Sequence, residues 1–366
     1  ILGQAGTALF GNQAVAGNHN VVWGLPLTNG VGGGYVKFTA LQSSTLGWDR
    51  CAYADPLFAN TAGGDYHLRS PAGRYDTNLM DFVMTDTNAS PAIDLGDPAA
   101  DVTGIEPDPN GSRLNAGLYG GTAQASKSRT NAWLQLLTYM DGAPLSATDG
   151  AWVRWDGGQY ETNATVRILL SRDSGLTWEV LETNVTASLG SFFYQEAEPD
   201  NTSSYSARLR VELEDDPEAG SGTGSESPMD FIYRNGSFAY YINDASTAGD
   251  MYCGAPGSDS NVGTSSNLPM ANLHALVAKF ITFGPGDRIY IDTGSYTATN
   301  PVVLGPAQSG TPSDPIVIEG STNRLAGGTV FGASGTARPM GFEFQSGASN
   351  LVLRDIIVTN RQTGIL

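Results

Sequence analysis

Residues 84 to 122, MTDTNASPAIDLGDPAADVTGIEPDPNGSRLNAGLYGGT, carry the Gly, Pro and Asp punctuation with which chains often finish a domain. Yet roughly two thirds of the sequence is still to come. The punctuation extends through the whole chain, which holds 46 glycines and 19 prolines and is rich in Ser, Thr and Asn. A chain interrupted this often suits many short strands joined by tight turns and offers few helix formers. The expected fold is therefore all-β. A length of 366 residues suggests two or three domains, and a hydrophobic content of 40% is enough to bury their cores.

Only 15% of the residues are charged, well below the usual quarter, and the net charge is −18. Lysine occurs only at Lys37, Lys127 and Lys279. Such a surface repels phosphate backbones, which argues against a nucleic-acid partner. Divalent cations and a saline medium fit it better, although acidity also simply keeps a β-rich surface soluble. The two cysteines, Cys51 and Cys253, lie far apart and outside any CxxC, so they make no disulfide framework. His19, His67 and His274 are isolated and give no zinc pattern. No run of eighteen apolar residues exists, so no membrane span is expected. The chain opens without Met or a signal peptide and both ends lie inside patterned sequence, which reads as a segment of a longer, processed polypeptide.

Three regions differ in their periodicity. In residues 1–125, NHNVVWGLPL, GGYVKFTAL and DYHLRS each give one short strand. Their wide, irregular spacing suits either a parallel β-helix or an all-β sandwich. Residues 126–222 alternate more strictly in AWVRWDGG, TVRILLSRD, TWEVLE and YSARLRVELE. Turn signals every eight to twelve residues or so mark an antiparallel sandwich of immunoglobulin or fibronectin type. The acidic, Gly/Ser-rich run that follows reads as a linker, completed by residues 223–235. From 236 to 366 strands return, together with the single convincing helix, NLPMANLHALVAKF, with Leu273, Leu276, Val277 and Phe280 at helical spacing. Asn267 is its expected N-cap and Pro269 its first-turn proline.

YADPLFANTAGGDYHLRS, SPAIDLGDP and EPDPNGSRLNAGLYGGTAQASKS together resemble the closing coils of right-handed parallel β-helix proteins, a pattern common in large secreted bacterial proteins. Residues 240–297 resemble the opening of the same kind of domain, with a first strand, a GSDSN loop, a capping helix and a GDRIYIDTGSY strand in order. They depart from it by an insertion at Met251 to Pro256, which carries Cys253. SRDSGLTW (171–178) resembles an Asp-box, which implies a structural hairpin turn. The resemblances thus imply an end, a sandwich and then a beginning.

Parallel β-helices include polysaccharide lyases and hydrolases, which work through carboxylate clusters, calcium and a base. The best cluster is Asp94, Asp97, Asp101, Glu106 and Asp108 with Arg113 as its basic neighbour; a second is Asp250, Asp259 and Asn261. Asp94, Asp97, Asp101 and Asp259 are the calcium candidates, and the plainer reading gives these residues Asx-turns and caps with no metal. Calcium is the one cofactor considered. No GxSxG, HExxH or P-loop pattern occurs, and no catalytic residue is assigned.

Uncapped coils at Ile1, Leu2, Ile365 and Leu366 would be continued by further sequence or by another copy. The expected function is therefore a structural, extracellular or cell-surface unit of a fibre or giant surface protein, partnered head-to-tail by copies of itself. The alternative is a secreted polysaccharide-binding or polysaccharide-degrading protein, with Trp152, Trp155, Tyr160 and Trp178 as a stacking surface. Trp152 and Trp178 equally sit where sandwich strands bury a side chain. Cys51 and Cys253 could approach between stacked copies. Sequons at Asn88, Asn110, Asn163, Asn184, Asn201 and Asn235 are candidate glycan sites, the first weakened by its proline.

Overall fold

The computed structural model describes residues 19–23, 27–28, 35–36, 50–100, 104–196, 203–214, 223–280, 283–298, 300–333, 341–360 and 363–365. Among them the regular structure is all-β, apart from three short 3-10 turns and one α-helix. The chain divides into two compact units, Ile1–Asn235 and Gly236–Leu366.

In the first unit, strand Val21–Val22 pairs in parallel with Ala52–Tyr53. The other pairs before residue 125 are antiparallel: Leu27–Thr28 with Tyr35–Val36, Phe58–Asn60 with Asp65–Leu68, and Arg74–Asp76 with Asp81–Val83. The last two run against the expected closing coils of a parallel helix. Their connections are only a few residues long, and so short a link can join only antiparallel strands. The opening motif becomes a packed closure. Ala92, Ile93 and Leu95 bury with Val21, Ala52, Leu68, Ala116 and Leu137 in one apolar cluster. AIDLG lies alongside LNAG, held by Gly96 N–H to Leu114 O (2.8 Å) and Ala116 N–H to Ala92 O (2.8 Å).

The strictly alternating region forms two antiparallel sheets around a shared core. One runs in the order Phe231–Arg234, Ser204–Leu213, Thr165–Ser171, Glu179–Thr186, with Leu145–Ser146 added in parallel at its edge. The other is Ser191–Tyr194, Ala151–Gly158, Trp133–Leu136. Ile168, Leu170, Leu209 and Val211 from the first meet Leu136, Val153 and Trp155 from the second. Trp155 is fully buried and its indole N–H donates to Ala187 O (2.9 Å).

The expected linker at 223–235 belongs to this sandwich instead. Gly224–Glu226 and Phe231–Arg234 both pair with Ser204–Leu213, and Phe231 and Tyr233 sit in the core. Two well-spaced aromatic residues outweigh a Gly/Ser-rich composition once a neighbouring strand offers them a core. The order of the tryptophans is also corrected. Trp152 alternates outward and is 41% exposed against Phe193, whereas Trp178 lies half-buried under Arg210.

SRDSGLTW is a hairpin turn between Thr165–Ser171 and Glu179–Thr186. Asp173 accepts from the Thr177 N–H (2.8 Å), the Thr177 hydroxyl (2.6 Å) and the Ser171 hydroxyl (2.7 Å), while Gly175 N–H donates to Ser171 Oγ (2.8 Å). Gly175 takes φ +88°, a conformation that a Cβ strains.

The second unit is built from parallel strands. One sheet runs Ala239–Ile242, Arg288–Ile291, Ile316–Gly320, Leu351–Arg354; a second Gly294–Ala298, Thr329–Ala333, Ile356–Val358; a third Val302–Leu304, Phe342–Phe344. Each strand thus pairs with one from a later pass of the chain, as parallel pairing requires. Register repeats side chain on side chain. Tyr240, Ile289 and Ile318 line up inward and fully buried, and Tyr241, Tyr290, Glu319 and Arg354 line up outward. The helix is Leu273–Lys279, later than expected. Its N-cap is Asn272, whose side chain accepts from Ala275 N–H (2.8 Å), and neither Asn267 nor Pro269 lies in it. Residues before it are drawn onto the first strand instead, where Met270 N–H donates to Tyr241 O (3.0 Å).

Burial predicts the mutational response. Trp155→Ala should lower the unfolding free energy by about 3–5 kcal/mol, and exposed Trp152→Ala by less than about 1 kcal/mol, both read by urea denaturation. The hydrogen bonds from Thr177 and Ser171 hold Asp173 down at about 2. Between its ordinary value and about 2 only the unfolded chain binds that proton, so this hairpin gains stability as pH rises through the window. NMR titration of the Asp173 side-chain carboxyl carbon should give a midpoint well below that of an exposed aspartate.

Candidate functional site

The expected carboxylate cluster does not converge. Asp94 is 3% exposed and receives Ser128 Oγ–H at 2.5 Å. Asp97 is exposed and caps Ala99 N–H (2.9 Å). Glu106 is buried, where its Oε1 accepts from Asn115 N–H (3.0 Å) and Gly121 N–H (2.7 Å). Asp108 is exposed, and Asp101 lies outside the described residues. In the second unit, Asp259 accepts from Ala271 N–H (3.0 Å), Asn272 N–H (3.1 Å) and the Asn272 amide. Asp250 accepts from the Asn243 amide (2.7 Å), and the Asn261 amide donates to Pro269 O (2.8 Å). Among the described residues no group of three or more His, Cys, Asp or Glu side chains could hold a metal ion. These side chains satisfy backbone groups that short strands leave over.

Other candidates separate in the same way. Neither cysteine forms a disulfide among the described residues: Cys51 is fully buried with Asn20 N–H on its sulfur (3.3 Å), and the Cys253 thiol donates to Ile242 O (3.6 Å), its pKa raised by burial and by Asp292. Asn88, Asn163 and Asn184 are exposed and Asn110 is half-buried. Asn235 is wholly buried, which leaves no room for a glycan in the folded chain. Of the end residues, Ile365 is exposed and bridges in parallel to Phe342. Ile1, Leu2, Leu366 and Asn201 lie outside the described residues.

The structure does bring charged and polar groups together at a cleft of about 460 Å³ in the first unit, lined by His19, Arg50, Arg113, Asp156 and Tyr160 with Pro98 at its side. Each is placed by a definite local feature. Arg50 precedes Cys51 and Ala52, which are pinned in the core, so its side chain alone is free to reach outward. It lies over Gly190, φ +64°, where a Cβ would come within 2.3 Å of its Nη1. Its donors make only long contacts to Trp155 O (3.5 Å), Gly190 O (3.5 Å) and Leu189 O (3.4 Å), and it has no carboxylate partner among the described residues. Arg113 comes from the turn NGSR in the opening motif, and it donates to Gly96 O (2.6 Å) and Asp156 Oδ1 (2.7 Å).

Asp156 follows Trp155 on Ala151–Gly158 and is 9% exposed. Its Oδ1 takes Arg113 and Gly157 N–H (2.9 Å), but its Oδ2 is buried with no hydrogen-bond partner. A buried carboxylate oxygen left unpaired is costly. Burial, and then Asp156, raise the Tyr160 pKa, so its hydroxyl keeps its proton. Burial, and then Arg113, lower the His19 pKa, so this imidazole is neutral at pH 7. The Arg113–Asp156 pair cancels, which leaves Arg50 as the remaining cation among the lining residues, with the Asp97 carboxylate close enough to act on His19.

Arg113 and Tyr160 were visible in the sequence, but as the neighbour of a metal cluster and as part of an aromatic platform. Arg50 and Asp156 carried no motif. The signal of Arg50 was scarcity, since only 19 basic residues occur, whereas Asp156 is one of 37 acidic residues and had none.

Burial lifts Asp94 to about 6, against a smaller opposing effect of the Ser128 hydrogen bond. Between about pH 4 and pH 6 the folded chain binds a proton that the unfolded chain has lost, so stability falls as pH rises across this window. The loss should be about 2 kcal/mol. Asp94→Asn should flatten it, as urea denaturation at pH 4.5 and pH 7 will show.

A protein-family model described as Disaggregatase related matches residues 5–96. This is about a quarter of the chain, and the family is β-rich but not a parallel β-helix family. No curated protein and no solved structure matches.

Proposed function

We propose that the chain is a structural, extracellular segment: a unit of a fibre or giant surface protein that stacks head-to-tail through parallel β-helix coils. In this reading residues 236–366 form the first coils of such a helix, and an immunoglobulin- or fibronectin-like sandwich precedes them in the chain. The observation that supports it is the set of three parallel sheets in the second unit, whose strands add in register along one direction.

The two edges of the first sheet differ. Ala239–Ile242 is covered by residues 263–270, with Tyr241 N–H on Gly263 O (2.8 Å) and Asn243 N–H on Met270 O (2.9 Å). Phe280, at the end of the helix, packs on Tyr240 with ring centroids 4.9 Å apart. Leu351–Arg354 and Ile356–Val358 carry no further strand on their outer side among the described residues. Their side chains are half-buried or exposed where those of Ile316–Gly320 are mostly buried. An edge of this kind offers its backbone groups to another strand. A head-to-tail contact between copies does not close on itself and so builds a filament.

The second reading, recognition of a polysaccharide, is favoured by the polar cleft around Arg50. The Disaggregatase related match at residues 5–96 runs into the start of the 84–122 motif, and its description names no activity for this chain.

Negative-stain microscopy and sedimentation of the purified chain should show end-to-end association that grows with concentration. Val352→Lys with Ile357→Lys should abolish it while leaving the circular dichroism unchanged. Compact, monodisperse particles for the parent chain at every concentration would sink the proposal.

A further inference from the structure

The turn NGSR, which aims Arg113, contains the bond Asn110–Gly111. The chain has two other Asn–Gly bonds, one at Asn29, outside the described residues, and one at Asn235. Such a bond is open to attack by its own backbone, because a following residue without a Cβ lets its nitrogen approach the side-chain amide carbon. The fold treats the two described bonds differently. Asn235 is wholly buried, and its N–H donates to Ser203 Oγ (2.8 Å). Asn110 is half-buried in a turn in which Gly111 takes φ +60° and Ser112 φ +57°. Ser112 N–H donates to Asn110 Oδ1 (3.1 Å), which draws electrons from the amide carbon as a donor on a reacting carbonyl does. The amide nitrogen is held only by a long contact to Glu106 O (3.5 Å). Gly111 N–H donates to no group among the described residues, so the attacking nitrogen is not tied into a ladder. Nor is the glycine dispensable. A Cβ at position 111 would come within 2.5 Å of Asp94 Oδ1 and 2.7 Å of Oδ2, so the buried carboxyl of Asp94 keeps the reactive pair in place.

We propose that Asn110 is a self-modifying site, which converts in the folded protein to aspartate and isoaspartate through a cyclic imide. The Gly111 nitrogen attacks Asn110 Cγ. A C–N bond forms, the Cγ–Nδ2 bond breaks, and the Gly111 proton leaves with Nδ2 as ammonia. Water then opens the ring at either of its two carbonyls. Opening at one gives aspartate, and opening at the other routes the main chain through the side chain and gives isoaspartate. Nothing is oxidised or reduced. Either product replaces a neutral amide by a carboxylate in the turn that packs on Asp94. Isoaspartate also lengthens the main chain by a methylene just ahead of Arg113, whose side chain ties Gly96 O (2.6 Å) to Asp156 Oδ1 (2.7 Å). The change therefore loosens the link between the punctuated stretch and the sandwich strand Ala151–Gly158.

The test is to age the full chain in neutral buffer, folded and in urea, and to map its peptides by mass spectrometry with fragmentation that separates aspartate from isoaspartate. In the folded chain the Asn110 peptide should pass through an imide lighter by about 17 Da and end heavier by about 1 Da. The Asn235 peptide should convert at least about a hundredfold more slowly, because its buried amide is held away from attack. In urea the two should convert at comparable rates. Asn110→Gln should abolish the change at this position, and its urea midpoint should not fall with age, whereas that of the parent chain should. The proposal is overturned if Asn110 stays intact in the folded chain while the unfolded chain converts, if both asparagines convert equally fast in the folded chain, or if the variant loses stability with age as the parent does.

Discussion

Short strands leave most backbone N–H and C=O groups without a ladder partner, and this protein depends on side chains that take the place of the missing ladder. In the second unit, Asp292 is fully buried and accepts from Met251 N–H (2.7 Å), Tyr252 N–H (2.8 Å), Cys253 N–H (2.6 Å) and Thr293 N–H (2.8 Å). One carboxylate therefore fastens the first half of the Met251–Pro256 insertion, Met251 to Cys253, to the strand behind it. Asp287 does the same for Phe238 and Gly284, and Thr329 bridges Ile291 O and Ser321 N–H. In the first unit Glu106 and Asn115 tie the punctuated stretch to itself. The abundance of Asp, Asn and Ser is the counterpart of this demand.

Much of the fold was legible because period-two alternation survives wherever a strand has one buried face. YSARLRVELE buries Ala207, Leu209, Val211 and Leu213 in turn, and SRDSGLTW makes the turn its residues imply. The failures have physical causes. Phe231 and Tyr233 sit in a segment whose Gly/Ser content hides them, and only a neighbouring strand shows that they are core. Trp152 and Trp155 differ by an odd number of residues and so face opposite sides of one strand. The helix starts late because Met270 is taken by backbone pairing to Tyr241 before Asn272 can cap.

The cleft was less legible than the fold. The acidic residues that drew attention, Asp94, Asp97 and Asp259, are each spent on local hydrogen bonds. The groups left with capacity are Arg50 and Asp156, which lie more than a hundred positions apart and meet only after the sandwich strand has been placed. Sequence spacing reports local duties such as caps and turns. It carries no record of which acceptor remains unpaired once folding is complete.

The registered column Tyr241, Tyr290, Glu319, Arg354 shows how the second unit handles change in length. Each strand in its sheet touches only the strand before and the strand after, so stability accrues rung by rung, close to a one-dimensional chain. A rung gained or lost by duplication or deletion in the gene leaves the pairing of the other strands in this sheet unchanged. For such an architecture length is a heritable variable, tunable in steps of one rung, and divergence in size is mechanically cheap where divergence in the interlocked sandwich is not.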